Sequence, residues 1–473
     1  MNLNKELTNV RIECINLIKR KDKKKEMMKK CNRRKIPINF FPAQLHENPK
    51  RGCLESHLSV IKNALKKNYK YLLILEDDAK FINSITNLPL PPTDWKMLYL
   101  GGTVHKNMGK SDRSDKWFRV QTWTTHAYII NLEKIDEIDK DGKLIEDTFI
   151  EDILKVEEYT QEIDRYYMEF IHRKYPAYMI DPMTVIQEEG YSDIECQKVN
   201  YDFMQSTLHG FMKPDNEKVD GNYVLKLPNI EDDDLPKVSI VTPTYERKKL
   251  IYMAIRNFNE FNYPKDKLEW IILDDSKESI EDIIPKDKRI HYIHIPNQHY
   301  SIAKKRNMGA DYANNEIIIH MDDDDYYPPE SILARVKLLL KYKNKGIQCV
   351  GCSEIGVYNI INKNSTLASD GDCSLSEASM GYFKEFWKKQ PFIEDEETGE
   401  YRGFINGRFE NIIDIPYSFV IIAFTHKTNF TNLRKAKSNA LIDKSTGKDI
   451  TFYDTFDLEL QLFIDSIIKN LNK

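Results

Sequence analysis

Two apolar runs in this chain stop abruptly on clusters of acid. Tyr71-Leu72-Leu73-Ile74-Leu75 runs into Glu76-Asp77-Asp78, and Ile317-Ile318-Ile319-His320-Met321 runs into Asp322-Asp323-Asp324-Asp325. A short continuous apolar run bounded by polar residues fits a strand buried on both faces, the pattern of a parallel sheet. The sequence around each run has the same grammar. Arg11 to Ile18 reads as a strand, Asp22 to Arg34 as a basic helix with Met27, Met28 and Cys31 inward, and Ile38 to Ala43 as extended, while Leu54, Leu58, Ile61 and Leu65 recur at helical spacing. In the second half, the strand Val238 to Thr242 and the turn Pro243-Thr244-Tyr245 precede a helix through Leu250, Ala254 and Phe258. Trp270 to Leu273 then runs into Asp274-Asp275-Ser276, a strand follows at Ile290 to Ile295, and Ser301 is placed to cap a helix holding Ala303, Arg306 and Ala310. Alternating strands and helices predict an α/β chain with mostly parallel sheets, whose ligands bind beyond the carboxyl ends of the strands. Both acidic clusters sit at such ends.

At 473 residues the chain has room for two to three domains. Composition shifts most between Lys213 and Pro236, where Pro, Asn, Asp and Gly collect. The expected division is a first domain over 1–213, a linker over 214–236, a second domain over 237–434 and a helical extension over 435–473. In that extension Phe456, Leu460, Phe463, Ile467 and Leu471 recur at steps of three and four. Lys and Arg number 70 against 74 Asp and Glu, so no global field draws the chain to nucleic acid. The basic stretch Lys19 to Lys35 reads as an amphipathic helix with a solvated face rather than an RNA-binding arm. Seven scattered cysteines without zinc or disulfide spacing fit a reducing compartment, and Cys349 and Cys352 read as inert thiols on a strand. No secretory leader and no membrane-spanning run is apparent, so the expected location is cytoplasmic.

Carboxylates crowded at a strand end repel one another, and a hard divalent cation such as Mn²⁺ or Mg²⁺ relieves that repulsion. Such an ion keeps positions open for substrate phosphates and steadies a departing diphosphate. The plainer alternative is a solvated acidic loop. An EF-hand starting at Asp322 is excluded, because Tyr327 stands where its glycine is needed and Leu333 where its bidentate Glu is needed. No Walker-type or dinucleotide-type glycine loop occurs.

Val238 to about Arg434 resembles a family 2 glycosyltransferase of the GT-A type. The resemblance is carried by Val241-Thr242-Pro243-Thr244-Tyr245, Asp274-Asp275-Ser276, Lys305-Arg306-Asn307-Met308-Gly309 and Met321-Asp322-Asp323-Asp324-Asp325, in that order. It implies that Pro243, Tyr245 and Asp275 hold the nucleotide with Arg306 nearby. It also implies that Asp322 and Asp324 form the Asp-x-Asp metal motif, with the frame Asp323 and Asp325 as the alternative. Tyr382 to Trp387 followed by Gly399 to Arg408 is similar to the segment holding the acceptor base, which makes Glu400 the catalytic candidate in competition with Glu394, Asp395, Glu396 and Glu397. An inverting transfer needs one carboxylate to take the acceptor hydroxyl proton. His426 stands where GT-A enzymes can supply a third metal ligand, although a lone His is also an ordinary core or surface residue.

Arg11 to Ile194 resembles a family 25 glycosyltransferase, the group of lipooligosaccharide and collagen galactosyltransferases. Its markers are Ile15-Asn16-Leu17, Arg20, Gly52-Cys53-Leu54-Glu55-Ser56-His57-Leu58, Leu73 to Asp78, Thr125 to Ile130, Asp164-Arg165-Tyr166, Pro182, Gln187, Gly190, Ser192 and Asp193. The resemblance gives Glu76 and Asp78 the metal and diphosphate role, puts Ser56 and His57 near the donor, and turns Asp164 to the acceptor. By residue type alone, Ser56 and His57 read equally as a capping or core pair.

The two resemblances together imply tandem GT-A-like, Rossmann-like domains that bind nucleotide sugars, UDP-hexoses foremost. The implied enzyme is a bifunctional, metal-dependent glycosyltransferase acting on a glycan or protein, a collagen-like acceptor included. The alternatives are one active transferase beside an acceptor-positioning or carbohydrate-binding domain, a binding scaffold without catalysis, and a metal-dependent phosphohydrolase, which would not need Pro243 and Asp275.

Overall fold

The computed structural model describes residues 1–138, 144–159, 162–192, 197–199, 204–219, 222–361, 363–369, 371, 373–394, 399–426 and 451–471. Asp193, Cys196, the rival bases Asp395, Glu396 and Glu397, and residues 435–450 of the expected extension lie outside them. Two units divide the chain, Met1–Gly210 and Phe211–Lys473.

Unit 1 is built on an eight-stranded sheet of β1 (Arg11–Asn16), β2 (Asn39–Pro42), β3 (Tyr71–Glu76), β4 (Met97–Tyr99), β5 (Thr103–Lys110), β6 (Trp117–Trp123), β7 (Ala127–Asn131) and β8 (Ala177–Ile180), in the order β2-β1-β3-β7-β4-β8-β6-β5. Strand β3 is buried from Tyr71 to Leu75 because both of its faces are covered. Leu72 and Ile74 pack with Leu54, Leu58 and Ile61 of helix α2 (Pro49–Lys66), while Leu73 and Leu75 pack with Met27 and Cys31 of helix α1 (Lys21–Arg33). Each fully buried aliphatic side chain contributes about 1.5–3 kcal/mol. Met28 does not join them and is exposed. Met27 and Cys31, four residues apart, share one helix face, and the next position along turns away from it.

The expectation of a mostly parallel sheet fails in unit 1 beyond β3. Strands β1, β2 and β3 are parallel, but β7 is antiparallel to β3 and β4, and β6 is antiparallel to β5 and β8. Between β4 and β7 no helix provides a crossover, and the short link from β5 to β6 joins an antiparallel pair.

Unit 2 carries a seven-stranded sheet of β9 (Val238–Thr244), β10 (Leu268–Asp274), β11 (Ile290–His294), β12 (Ile317–His320), β13 (Cys349–Gly351), β14 (Gly381–Phe383) and β15 (Ile412–Asp414), ordered β11-β10-β9-β12-β14-β13-β15. The first four strands in that order are parallel and β14 runs against both its neighbours. Helices α3 (Tyr252–Glu260), α4 (Ile302–Tyr312) and α5 (Ser331–Tyr342) separate the strands in sequence. A second sheet of Asn364–Ser369, Glu354–Asn359 and Ile422–Thr425 delivers His426. Helix α6 (Leu458–Leu471) buries Leu460, Ile464 and Ile467 against Leu250, Met253 and Phe424. Within the expected linker, Asn216–Val219 and Asn222–Leu225 form an antiparallel hairpin, and Leu225 and Leu235 join the core of unit 2. Cys349 and Cys352 are buried free thiols. No described helix is long and apolar enough to cross a membrane.

Candidate active sites

In unit 2 the carboxyl ends of β9, β10 and β12 meet helix α4. The ladder between β9 and β12 ends at Val241 and His320, so Pro243, which has no N–H, follows the last paired position on that side. Helix α4 lies tight on β9, and a Cβ on Gly309 would come within 2.3 Å of Val241 Cγ1. Ser301 caps α4 by accepting from Lys304 N at 3.0 Å, as the sequence predicts. That fixed helix buries Lys305 and Arg306 beneath the strand ends.

Lys305 Nζ donates to Asp275 Oδ1 at 2.7 Å and to the Thr244 carbonyl at 3.0 Å. Asp275 Oδ2 faces His299 Nδ1 at 3.0 Å and accepts from Tyr300 N at 2.7 Å. The Tyr245 ring lies 4.1 Å from that of His299, half of which is exposed, so the pair offers an open aromatic shelf above a buried ion pair. Tyr245 and Asp275 are thus brought together through His299, whereas Pro243 is buried within β9.

Arg306 is fully buried. Its Nη2 is 3.0 Å from Asp322 Oδ1 and its Nε 3.4 Å from Glu400 Oε1. His320 pairs through Nδ1 with the Glu377 carbonyl at 2.7 Å and through Nε2 with Tyr382 OH at 3.0 Å. Burial, then Arg306, pushes it well below its ordinary value, so it is neutral. Along the acidic run the four side chains alternate. Asp322 faces Arg306, and Asp324 Oδ2 meets His426 Nε2 at 2.9 Å with Arg247 Nη2 at 3.8 Å. Asp323 accepts from Thr244 Oγ1, and Asp325 Oδ1 accepts from Phe424 N at 2.8 Å. Burial raises Asp322, Asp323 and Asp325. Asp324 is held low against its own burial by His426 and Arg247.

The carboxylate chemistry of this run suits a hard divalent cation. Asp322, Asp323, Asp324, Asp325, Glu377 and Glu400 crowd Arg306 and Arg247, and the buried Thr425 Oγ1, next to His426 in sequence, has no hydrogen-bond partner among the described residues.

In unit 1 helix α2 begins with Asn48 accepting from Lys50 N at 3.0 Å and a proline at its first position, and it buries Ser56 and His57. His57 Nε2 lies 3.3 Å from Glu76 Oε1, which also accepts from Thr125 Oγ1 at 2.9 Å. Asp78 Oδ2 accepts from Gln187 Nε2 at 2.8 Å, while its buried Oδ1 has no partner among the described residues. Burial, then the charge of Glu76, raises Asp78. Asp164 accepts from Thr124 N at 3.1 Å, and burial raises it, with Glu76 within electrostatic reach. Ser56 stands apart. Its Oγ donates to the Gly52 carbonyl at 2.6 Å and accepts from Gln44 N at 2.8 Å, bracing the loop before α2.

Lys305, His299, Glu377, Arg247 and Cys53 also belong to these clusters, and the sequence reading did not single them out as site residues. Lys305 was legible as the neighbour of Arg306 and Cys53 as the residue four before His57. Glu377 opens a three-residue 3-10 turn and His299 lies in a loop, both too short or irregular for periodicity to give a signal.

Among curated proteins, the chain is 26% identical over 173 residues to the GalNAc(5)-diNAcBac-PP-undecaprenol β-1,3-glucosyltransferase of Campylobacter jejuni, covering 35% of this chain and 50% of that one. It is 27% identical over 113 residues to an uncharacterized glycosyltransferase of Haemophilus influenzae, covering 23% and 44%. The chain thus spans about half the length of the curated relatives it matches. Solved structures similar to it include S. aureus TarS 1–349, at 16% identity and TM-score 0.31, covering 40% of this chain and 60% of that one. Another is the mannosyltransferase PcManGT of Pyrobaculum calidifontis in complex with GDP-Man and Mn²⁺, at 17% identity and TM-score 0.33, covering 42% and 60%. At the level of families, residues 239–412 of unit 2 match glycosyl transferase family 2, and residues 45–148 of unit 1 match glycosyltransferase family 25, described as LPS biosynthesis proteins.

Proposed function

We propose that the chain is a bifunctional, metal-dependent glycosyltransferase. Each unit transfers a sugar from a nucleotide-sugar donor, a UDP-hexose foremost, to a glycan or protein acceptor. The observation that carries this reading is the convergence in unit 2 of an aromatic shelf, Tyr245 and His299 over Asp275 and Lys305, with the carboxylates of Asp322 and Asp324 just beyond the end of β12 and with Glu400, which meets Arg306 beside Asp322. A phosphohydrolase has no use for the first half of that arrangement.

In unit 2 the flat base stacks on the Tyr245 and His299 shelf, and Lys305 and Arg306 hold their carboxylate partners rigid beneath the diphosphate. Asp322, Asp324 and His426 are the residues that would hold a divalent cation such as Mn²⁺ or Mg²⁺. When bound, that ion supplies positive charge for the departing diphosphate. Glu400 takes the proton of the acceptor hydroxyl as its oxygen bonds to the anomeric carbon and the bond to the nucleotide diphosphate breaks, which inverts that carbon. Its neighbour Glu377 is pushed up to about 8 by burial and then by the charge of Glu400, so Glu377 keeps its proton near neutral pH. In unit 1, Glu76 and Asp78 take the metal and diphosphate role, His57 orients Glu76, and Asp164 faces the acceptor.

Removing a positioned general base costs about 10²–10⁴ in rate. Glu400→Gln should therefore lower transfer by unit 2 by about that factor while donor affinity, read by calorimetry, stays within about twofold. Full transfer by Glu400→Gln would contradict the assignment.

A further inference from the structure

Helix α2 projects Cys53 and His57, four residues apart, from one face, and β3 ends with Glu76 opposite them. The thiol sulfur, an imidazole nitrogen and a carboxylate oxygen of these residues all lie within 4.8 Å of one another. His57 Nε2 and Glu76 Oε1 are 3.3 Å apart. Nitrogen and oxygen ligands at zinc distances from a tetrahedral ion are separated by about 3.4 Å. Both side chains are held from behind, as metal ligands are. The other ring nitrogen of His57 lies 2.8 Å from Tyr128 OH, and Thr125 Oγ1 donates to Glu76 Oε1. Cys53 Sγ makes no hydrogen bond with the described residues, and the residue is half-buried beside the site.

We propose that Cys53, His57 and Glu76 bind one thiophilic divalent cation of the zinc class. The set differs in kind from Asp322, Asp324 and His426. A thiolate and an imidazole favour zinc or cobalt, whereas carboxylates favour magnesium and manganese. On binding, the Cys53 proton passes to solvent and the sulfur bonds the ion. Three protein ligands leave the fourth tetrahedral position for water or a substrate oxygen, the arrangement of open rather than purely structural zinc sites. The assignment rests on the metal role proposed for Glu76, and its test reads the ion directly, so that its failure is separate from any failure of sugar transfer.

The full chain, stripped with chelator, is titrated with Co²⁺ while thiolate-to-cobalt charge-transfer absorption is recorded. One equivalent should raise the band and Zn²⁺ should abolish it. Cys53→Ser should lack it, and Asp324→Asn should keep it. No band in the unaltered chain, or a band that survives in Cys53→Ser, overturns the site. A fold defect in that variant would not hide the answer. In the unaltered chain Zn²⁺ should slow alkylation of Cys53, followed by peptide mass spectrometry, by about tenfold or more, and an unchanged rate overturns the site as well. Donor hydrolysis is measured on the same samples. A cobalt band without hydrolysis supports the site while counting against transfer by unit 1.

Discussion

Buried ionisable side chains in this chain have their protonation set by what surrounds them, and His172 shows this outside the candidate sites. Its Nδ1 lies 3.4 Å from Thr122 N, which donates to it, so Nε2 carries the proton toward Tyr99 OH at 2.9 Å. Burial pushes it from 6.5 down to about 3. The unfolded chain therefore binds a proton near 6.5 that the folded chain refuses. Stability is greatest above 6.5 and is lost as pH falls toward about 3. His172→Gln can keep both hydrogen bonds without titrating. Between about pH 7 and about pH 5 its melting temperature should fall less steeply than that of the unaltered chain. Identical slopes in thermal unfolding would contradict this. Much of the candidate sites was legible at this scale where chemistry and position coincide, as in Asp275, Asp322, Asp324 and His426. Glu377 was not, because its importance comes from facing Glu400 across a loop that leaves no pattern in sequence.

At the scale of elements, the legible strands were those buried on both faces. Tyr71–Glu76, Leu268–Asp274 and Ile317–His320 leave unbroken apolar runs. Strand β5 was invisible for the opposite reason, since only Val104 of its residues is buried, and β4 has only three residues. The antiparallel half of the unit 1 sheet follows from those two and their partners, and so escaped a reading built on strand and helix alternation. Helix α6 was legible from its spacing, although Phe463 is only partly buried and Ile464 takes the inward place. Its buried face meets Leu250, Met253 and Phe424, and a small apolar cavity there is also lined by Asp324 and His426. Leu460→Ala should therefore destabilise unit 2 by about 2–5 kcal/mol in denaturant unfolding. A loss below about 0.5 kcal/mol, the range of surface substitutions, would show that α6 does not pack on that face.

At the scale of the whole molecule, two units carry acid-tipped strands of different surroundings. In unit 2, Asp322 and Asp324 are paired with Arg306 and His426. In unit 1, Glu76 is paired with His57, and Asp78 keeps one buried oxygen without a partner among the described residues. Two sites with separate candidate metal ligands are expected to run two separate reactions. The most direct test is a panel of UDP- and GDP-sugars with Mn²⁺ or EDTA, in which hydrolysis and transfer are measured for the unaltered chain, Asp78→Asn and Asp324→Asn. The account predicts two metal-dependent activities, one abolished by each substitution and spared by the other. A single activity lost in Asp324→Asn and untouched in Asp78→Asn would contradict bifunctionality and leave unit 1 as an acceptor-positioning or carbohydrate-binding domain.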